Sequence, residues 1–326
     1  MAEYTKILRT PQDVSDYLNY GAGSVGSPQW ADSNNTVKIY IGNDIDMSQS
    51  EKFNIIPDAI TSIEGLNGNK YTISYLNMER IGDVYFAKTN NAKNIAFKDI
   101  NLNGTNCISP LTDATGGSSI CTYENISVTG KIQGAHTAGI VYKRIGIEGN
   151  LRTTIKKSNF SGTLLATNIC GGIICASGYT QITKIEDCFT SAIANNYFSA
   201  PTIYLIGSGY DSQTSTLINN SFFIGNVGKN ASINFCALCE YLNNYSIRTS
   251  NEIYAYILNP NILNGLYGNT TYSMITGKSP FLPSLNFVSS VGDVPVGRRG
   301  QQDWNDFMIA EENINMAYLS DLGWPI

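Results

Sequence analysis

The side chains in this sequence best equipped for chemistry are five acids: Glu124, Glu148, Glu186, Asp187 and Asp211. Two carboxyl groups held roughly 5–9.5 Å apart can cleave a glycosidic bond, one acting as acid and the other as base or nucleophile. A cleft of that kind usually adds tryptophan platforms for the sugar rings. The three tryptophans, Trp30, Trp304 and Trp324, all fall outside the repeating part of the chain described below. The acids are therefore read as solvated or turn-capping groups, with glycan cleavage kept as a minority reading. The single histidine, His136, would have to serve any Ser-His-Asp or Cys-His mechanism. Its neighbours Gly134 and Ala135 mark a turn, and a turn histidine outside chemistry is the expectation.

Metal chemistry has two starting points. Cys236-x-x-Cys239 has the spacing of half a zinc knuckle, but neither a second cysteine pair nor a histidine follows to complete four ligands. Asp44-x-Asp46 puts two carboxylates on one side of a strand, as a hard cation would require, yet no Gly-rich ligand loop or distal Glu follows. A turn whose side chains cap backbone N–H groups is the simpler reading. The seven cysteines are odd in number, and several sit in apolar sequence such as Ile169-Cys170-Gly171-Gly172-Ile173-Ile174-Cys175, so buried free thiols are expected. No catalytic residue, no metal site and no cofactor is expected from these motifs. Tyrosine is the better pointer. Of the 20 tyrosines, Tyr142, Tyr179 and Tyr210 recur near chain bends, as do Tyr123 and Tyr204. Amphipathic rings at bends can bind sugar or protein, and can equally stack along the outside of neighbouring coils.

Composition narrows what can position these groups. Only 14% of residues are charged, against roughly 25% in a typical soluble domain. Asn, Ser, Thr and 30 Gly supply the polarity instead, which suits strands and tight turns. A net charge of −5 and a pI near 5.0 exclude a basic nucleic-acid groove. No run approaches the roughly 20 apolar residues of a membrane-spanning helix. Met1-Ala2-Glu3-Tyr4-Thr5-Lys6 lacks the basic-then-apolar order of a signal peptide, so synthesis in a cytoplasm without export by that route is expected.

The elements follow from spacing. Thr10 can cap a helix with Pro11 at its first position and Asp13 in its first turn. Val14, Tyr17 and Leu18 share one face of that helix, and Gly21 ends it. Val37-Lys38-Ile39-Tyr40-Ile41 alternates as a strand, and Asn67-Gly68-Asn69 marks a tight turn. Beyond these, a repeat emerges. Ile100, Ile126, Phe160, Phe189 and Phe222 each follow short polar residues, at steps of 26, 34, 29 and 33. A second marker, Leu111, Ile140, Ile173, Ile206 and Leu238, steps by 29, 33, 33 and 32. A short strand with one apolar face cannot bury that face alone. Parallel stacking of successive coils at ~4.8 Å buries it, while Asn at the bends can form a hydrogen-bonded ladder. The open ends then need caps.

At this point the sequence resembles a known family. Thr10-Pro11-Gln12-Asp13-Val14, the stretch Val37–Ser48 ending in Asn43-Asp44-Ile45-Asp46-Met47-Ser48, and Ile63-Glu64-Gly65-Leu66-Asn67-Gly68-Asn69-Lys70-Tyr71-Thr72-Ile73-Ser74 look like the opening of GLUG-motif β-helix proteins. Gly171-Gly172-Ile173 with Ile185-Glu186-Asp187-Cys188-Phe189 resembles their internal repeat. The resemblance covers about the first three quarters of the chain. It departs at Leu66-Asn67, where the family has Phe-Asp, and at Tyr204-Leu205, where it has Gly-Gly.

The expected fold is all-β: a single-stranded right-handed parallel β-helix (solenoid) with a short N-terminal capping helix and a C-terminal non-repeat segment. Residues 1–50 form the cap, 51–290 the β-helix and 291–326 a second cap or attachment segment. The resemblance implies a non-catalytic phage virion protein (fibre, spike or capsid-decorating element) located in the virion. Its partners would be other virion proteins or a host-surface glycan. A bacterial surface adhesin at the cell surface is the alternative, and a tailspike-type glycan depolymerase a second one. A homo-oligomer, a trimer by the habit of phage fibres, stays open, since no trimerising coiled coil is present.

Overall fold

The computed structural model describes residues 3–19, 36–113, 120–144, 151–177, 181–186 and 188–193, and then the strand segments 204–208, 215–219, 222–225, 246–248, 253–257, 277–278 and 285–288.

The chain opens with a strand that the sequence reading did not foresee. β1 (Glu3–Leu8) pairs in parallel with β2 (Thr36–Ile41), so the stack begins ahead of residue 51. Between them lies α1 (Pro11–Asn19). The Asp13 N–H donates to Thr10 Oγ1 at 3.2 Å, and the Thr10 N–H donates back to Asp13 Oδ2 at 3.0 Å. This is a capping box with Asp in the place of the usual Glu. Val14, Tyr17 and Leu18 are buried, the face the spacing predicts. The Tyr17 hydroxyl donates to the Phe86 carbonyl oxygen at 3.2 Å, and the Tyr17 ring meets Phe86 edge-on, 5.4 Å between centroids. Phe86 meets Phe97 the same way at 5.3 Å. The helix is thereby locked to side chains that fill the bore of the stack.

From there the chain is a parallel β-solenoid of about 5 turns. Each described turn is divided by bends into short strands, and each strand pairs in parallel with its equivalent one turn on. One inward column runs Ile45, Ile73, Phe97, Val128, Phe160, Thr190, with Phe223 next in backbone register. Another runs Ile39, Ile63, Ala92, Tyr123, Ile155, Ile185, with Ile218 next in backbone register. The buried members join one continuous core from Leu8 to Cys188, to which α1 also belongs. Burial of this kind is worth roughly 1.5–3 kcal/mol per large apolar side chain. Among the described residues the one antiparallel pairing joins Gly277–Lys278 to Leu285–Val288; every pairing between 95 and 260 is parallel.

The bends are built from residues that tolerate left-handed backbone. Asn94 and Asn125 both have φ of 56°, and Lys157 has 48°, at one bend on three successive turns. Asn tolerates that region better than most residues. Asn125 Nδ2 donates to Asn94 Oδ1 at 2.9 Å, and Asn94 Nδ2 to the Gly68 carbonyl oxygen at 2.9 Å, which forms the anticipated ladder. The next bend uses Gly130, with φ of 132°. A Cβ there would overlap the Ile100 backbone, so only glycine allows the turns to approach this closely.

The repeat was read in the right places but not in the right register. The paired column through Phe97 steps by 31, 32, 30 and 33 residues to Phe223. Phe160 therefore aligns with Val128, and Ile126 aligns with Ile95. Phe189 and Phe222 are in register with Asn159, one residue before Phe160. Leu111 aligns with Val141, one past the expected Ile140, and Ile206 with Ile174. Register shifts at Val128/Gly130 and Gly171/Ile174 absorb the difference. The expected C-terminal segment, 291–326, lies outside the described residues.

Candidate functional site

The outer face of the first wall carries a column of alternating charge. Glu64 pairs in register with Lys93, Lys93 with Glu124, Glu124 with Lys156, and Lys156 with Glu186. Period-two alternation puts these side chains outside because Ile63, Ala92, Tyr123, Ile155 and Ile185, one residue earlier, fill the bore. Lys93 Nζ lies 3.1 Å from Glu124 Oε2, and Lys156 Nζ lies 3.2 Å from Glu124 Oε1. One carboxylate thus bridges two lysines, one from the turn on either side. Lys184 Nζ sits 2.7 Å from Glu186 Oε1. Burial pushes the Glu124 carboxyl up, but hydrogen bonds and charge from Lys93 and Lys156 outweigh it and hold the group below the ordinary carboxylate value.

A shallow hollow of about 170 Å³ opens on the same face over three turns. It is lined by Ser62, Ile63 and Glu64 on the first, Asn91, Ala92 and Lys93 on the second, and Thr122 and Glu124 on the third. Ile63 and Ala92 are 0% and 2% exposed, so their side chains point inward and the hollow is floored by their backbone. Hydroxyl, amide, carboxylate and ammonium groups stand on its walls, most of whose exposed area is carbon.

The two expected acids among the described residues, Glu124 and Glu186, do not form a free pair. Glu124 and Glu186 stand two turns apart, ~9.6 Å of rise, with Lys156 between them, and each is ion-paired. Glu148, Asp187 and Asp211 lie outside the described residues. Tyr142 is 3% exposed, so its ring is no platform for a ligand arriving from solvent. It packs with Cys107, Ala138 and Cys175 in a small second cluster, and this burial corrects the expectation of a binding tyrosine there. Tyr179 and Tyr210 lie outside the described residues. Tyr123, also expected near a bend, is fully buried and donates to the Thr89 carbonyl oxygen at 2.8 Å.

His136 sits near the end of the segment Ile120–Ala138, at a register irregularity between Gly134 and His136. Its register partners are Cys107 and Ile169, and its ring lies 6.2 Å from that of Tyr142. Burial lowers its pKa, which favours the neutral imidazole. Asp44 Oδ1 accepts the Thr72 N–H at 2.8 Å and Asp46 Oδ1 accepts the Ser48 N–H at 2.8 Å, the capping role read from the sequence. Cys107, Cys121, Cys170, Cys175 and Cys188 are buried free thiols, and Cys236 and Cys239 lie outside the described residues.

The charge column was missed, although its signal is in the sequence. Glu64, Lys93, Glu124, Lys156 and Glu186 follow one another at steps of 29, 31, 32 and 30, with the sign reversing each time. Tracking polar positions along the repeat, and not only apolar ones, would have found it. No helix among the described residues is long and apolar enough to cross a membrane. No protein-family model matches the chain, and no curated protein matches it in sequence.

Proposed function

We propose that this chain is a non-catalytic structural and adhesion element of a phage virion, a fibre, spike or capsid-decorating protein, that presents a rigid solenoid to a host-surface glycan or to neighbouring subunits. The observation that carries the proposal is the outer charge column. Glu124 and Glu186, the described acids best placed for glycan hydrolysis, are each held by lysines, and a general acid needs a raised pKa while Glu124 has a lowered one. The virion assignment rests on the GLUG-type resemblance. The stack suits such a role, since backbone pairing from turn to turn makes a stiff rod whose outer side chains are free to vary.

Two measurements test it. Mass spectrometry of purified particles from the source should find the chain at a fixed copy number, and finding it only on bacterial surfaces would favour the adhesin instead. Incubation with host polysaccharide should release no new reducing ends or unsaturated sugars. Turnover that disappears in Glu124→Gln or Glu186→Gln would replace the proposal with a depolymerase.

A further inference from the structure

The hollow over Glu64 contains polar groups that the fold does not use. Lys93 is 3.1 Å from Glu124, and Glu124 also binds Lys156, so one carboxylate is shared by two ammonium groups. Glu64, at the other side of Lys93 in the column, makes no hydrogen bond or ion pair with its side chain among the described residues, and neither does the Ser62 nor the Thr122 hydroxyl. All three are half-buried on the wall of the same hollow, with the Asn91 amide between them. That amide donates to the Thr61 carbonyl oxygen at 3.5 Å.

These groups define a ligand. An uncommitted carboxylate favours a cationic donor, because a charge-assisted hydrogen bond is about twice as strong as a neutral one. The hydroxyls and the amide donate and accept in turn, which matches a ring bearing several hydroxyls. Neighbouring turns present equivalent groups at ~4.8 Å steps, so donors are spaced along the wall and not gathered at one point. A hard divalent cation would ask for six or more oxygens around one centre, and an anion would meet both Glu64 and Glu124. Lys93 beside the hollow disfavours a second positive charge on the ligand.

We propose that the hollow binds one amino-sugar unit of a glycan, its ammonium on the Glu64 carboxylate and its hydroxyls on Ser62, Asn91 and Thr122. This rests on the adhesion reading above and gives that reading a location and a sugar class. The hollow is shallow, so single-site affinity is weak, and many copies on one particle supply the avidity.

The test titrates the full-length chain with glucosamine, N-acetylglucosamine, glucose and a linear diamine, followed by NMR. Glucosamine binds, and N-acetylglucosamine and glucose bind about tenfold more weakly, as expected for loss of one charge-assisted contact. Glu64→Gln weakens glucosamine binding about tenfold and Thr122→Val by a smaller factor, while Glu79→Gln, a carboxylate paired with Lys52 on a different wall, leaves it unchanged. Thermal melts of each variant confirm that the fold is retained. Unchanged binding in Glu64→Gln, absence of glucosamine binding, or a diamine binding as tightly as glucosamine would each overturn the proposal. Retention of whole host polysaccharide by both wild type and Glu64→Gln would remove this site and leave the adhesion reading standing. Failure of the wild type to retain any host polysaccharide would remove glycan adhesion itself.

Discussion

Phe97, Val128 and Phe160 stand in one column inside the bore, and Lys93, Glu124 and Lys156 stand in another outside it, on the same three turns. Both columns repeat with the rise of the stack, but their energetics differ. The inner column is fully buried and close-packed, so a change of a few methylene groups is felt by the turns above and below. The outer column is half in water, where each ion pair is worth little and salt screens it. The inside thus fixes the fold, while the outside can exchange residues without dismantling it. A candidate binding surface is accordingly to be sought on the outer face.

Four substitutions break or sharpen this contrast. The largest effect belongs to Phe160→Ala, which empties a fully buried site and should cost about 3–5 kcal/mol in urea unfolding. Gly130→Ala comes next, because a Cβ at φ of 132° meets the Ile100 backbone; about 2–4 kcal/mol is expected, with a lower melting temperature. Asn125→Ala removes the amide that donates to Asn94 and accepts from Lys70 at 3.2 Å, and should cost about 1–3 kcal/mol. Glu124→Gln should cost at most about 1 kcal/mol, and less in high salt.

The Glu124 change also predicts a pH dependence. Its folded pKa lies below the ordinary value, so its stabilisation is complete above the unfolded carboxylate range and is lost as pH falls through the folded value. The wild type should therefore lose stability on acidification below about 4.5, the unperturbed value, and Glu124→Gln should show a shallower acid limb in urea midpoints measured against pH. Equal acid limbs would mean that the column contributes nothing to the fold.

Much of the inner column was legible in the sequence, and little of the outer one. α1 was readable to its cap because Thr10, Pro11 and Asp13 each have one low-energy position at a helix start. The coil period was readable because large apolar residues recur. The register was not, since Ile126 and Val128 both face the bore and either can be taken as the marker. β1 escaped notice because its pairing with β2 spans residues 9–35, a distance that local alternation does not report. Tyr142 looked like a bend residue, but the wall around it folds into a small cluster with Cys107 and Cys175, and burial there is a tertiary outcome.

The parallel register that sets both columns can be tested by cross-linking across the outer wall. Thr122 is paired with Thr154, and Thr154 with Lys184. Cysteines at 122 and 154 would stand ~4.8 Å apart, within the reach of a disulfide, whereas 122 and 184 would stand ~9.6 Å apart and beyond it. Mild oxidation of Thr122→Cys/Thr154→Cys, followed by peptide mass spectrometry, should give the cross-linked peptide in high yield, and Thr122→Cys/Lys184→Cys should give none. Efficient cross-linking of 122 to 184, or none between 122 and 154 in a protein that still melts cooperatively, would contradict the stacked register on which the fold and the charge column both depend.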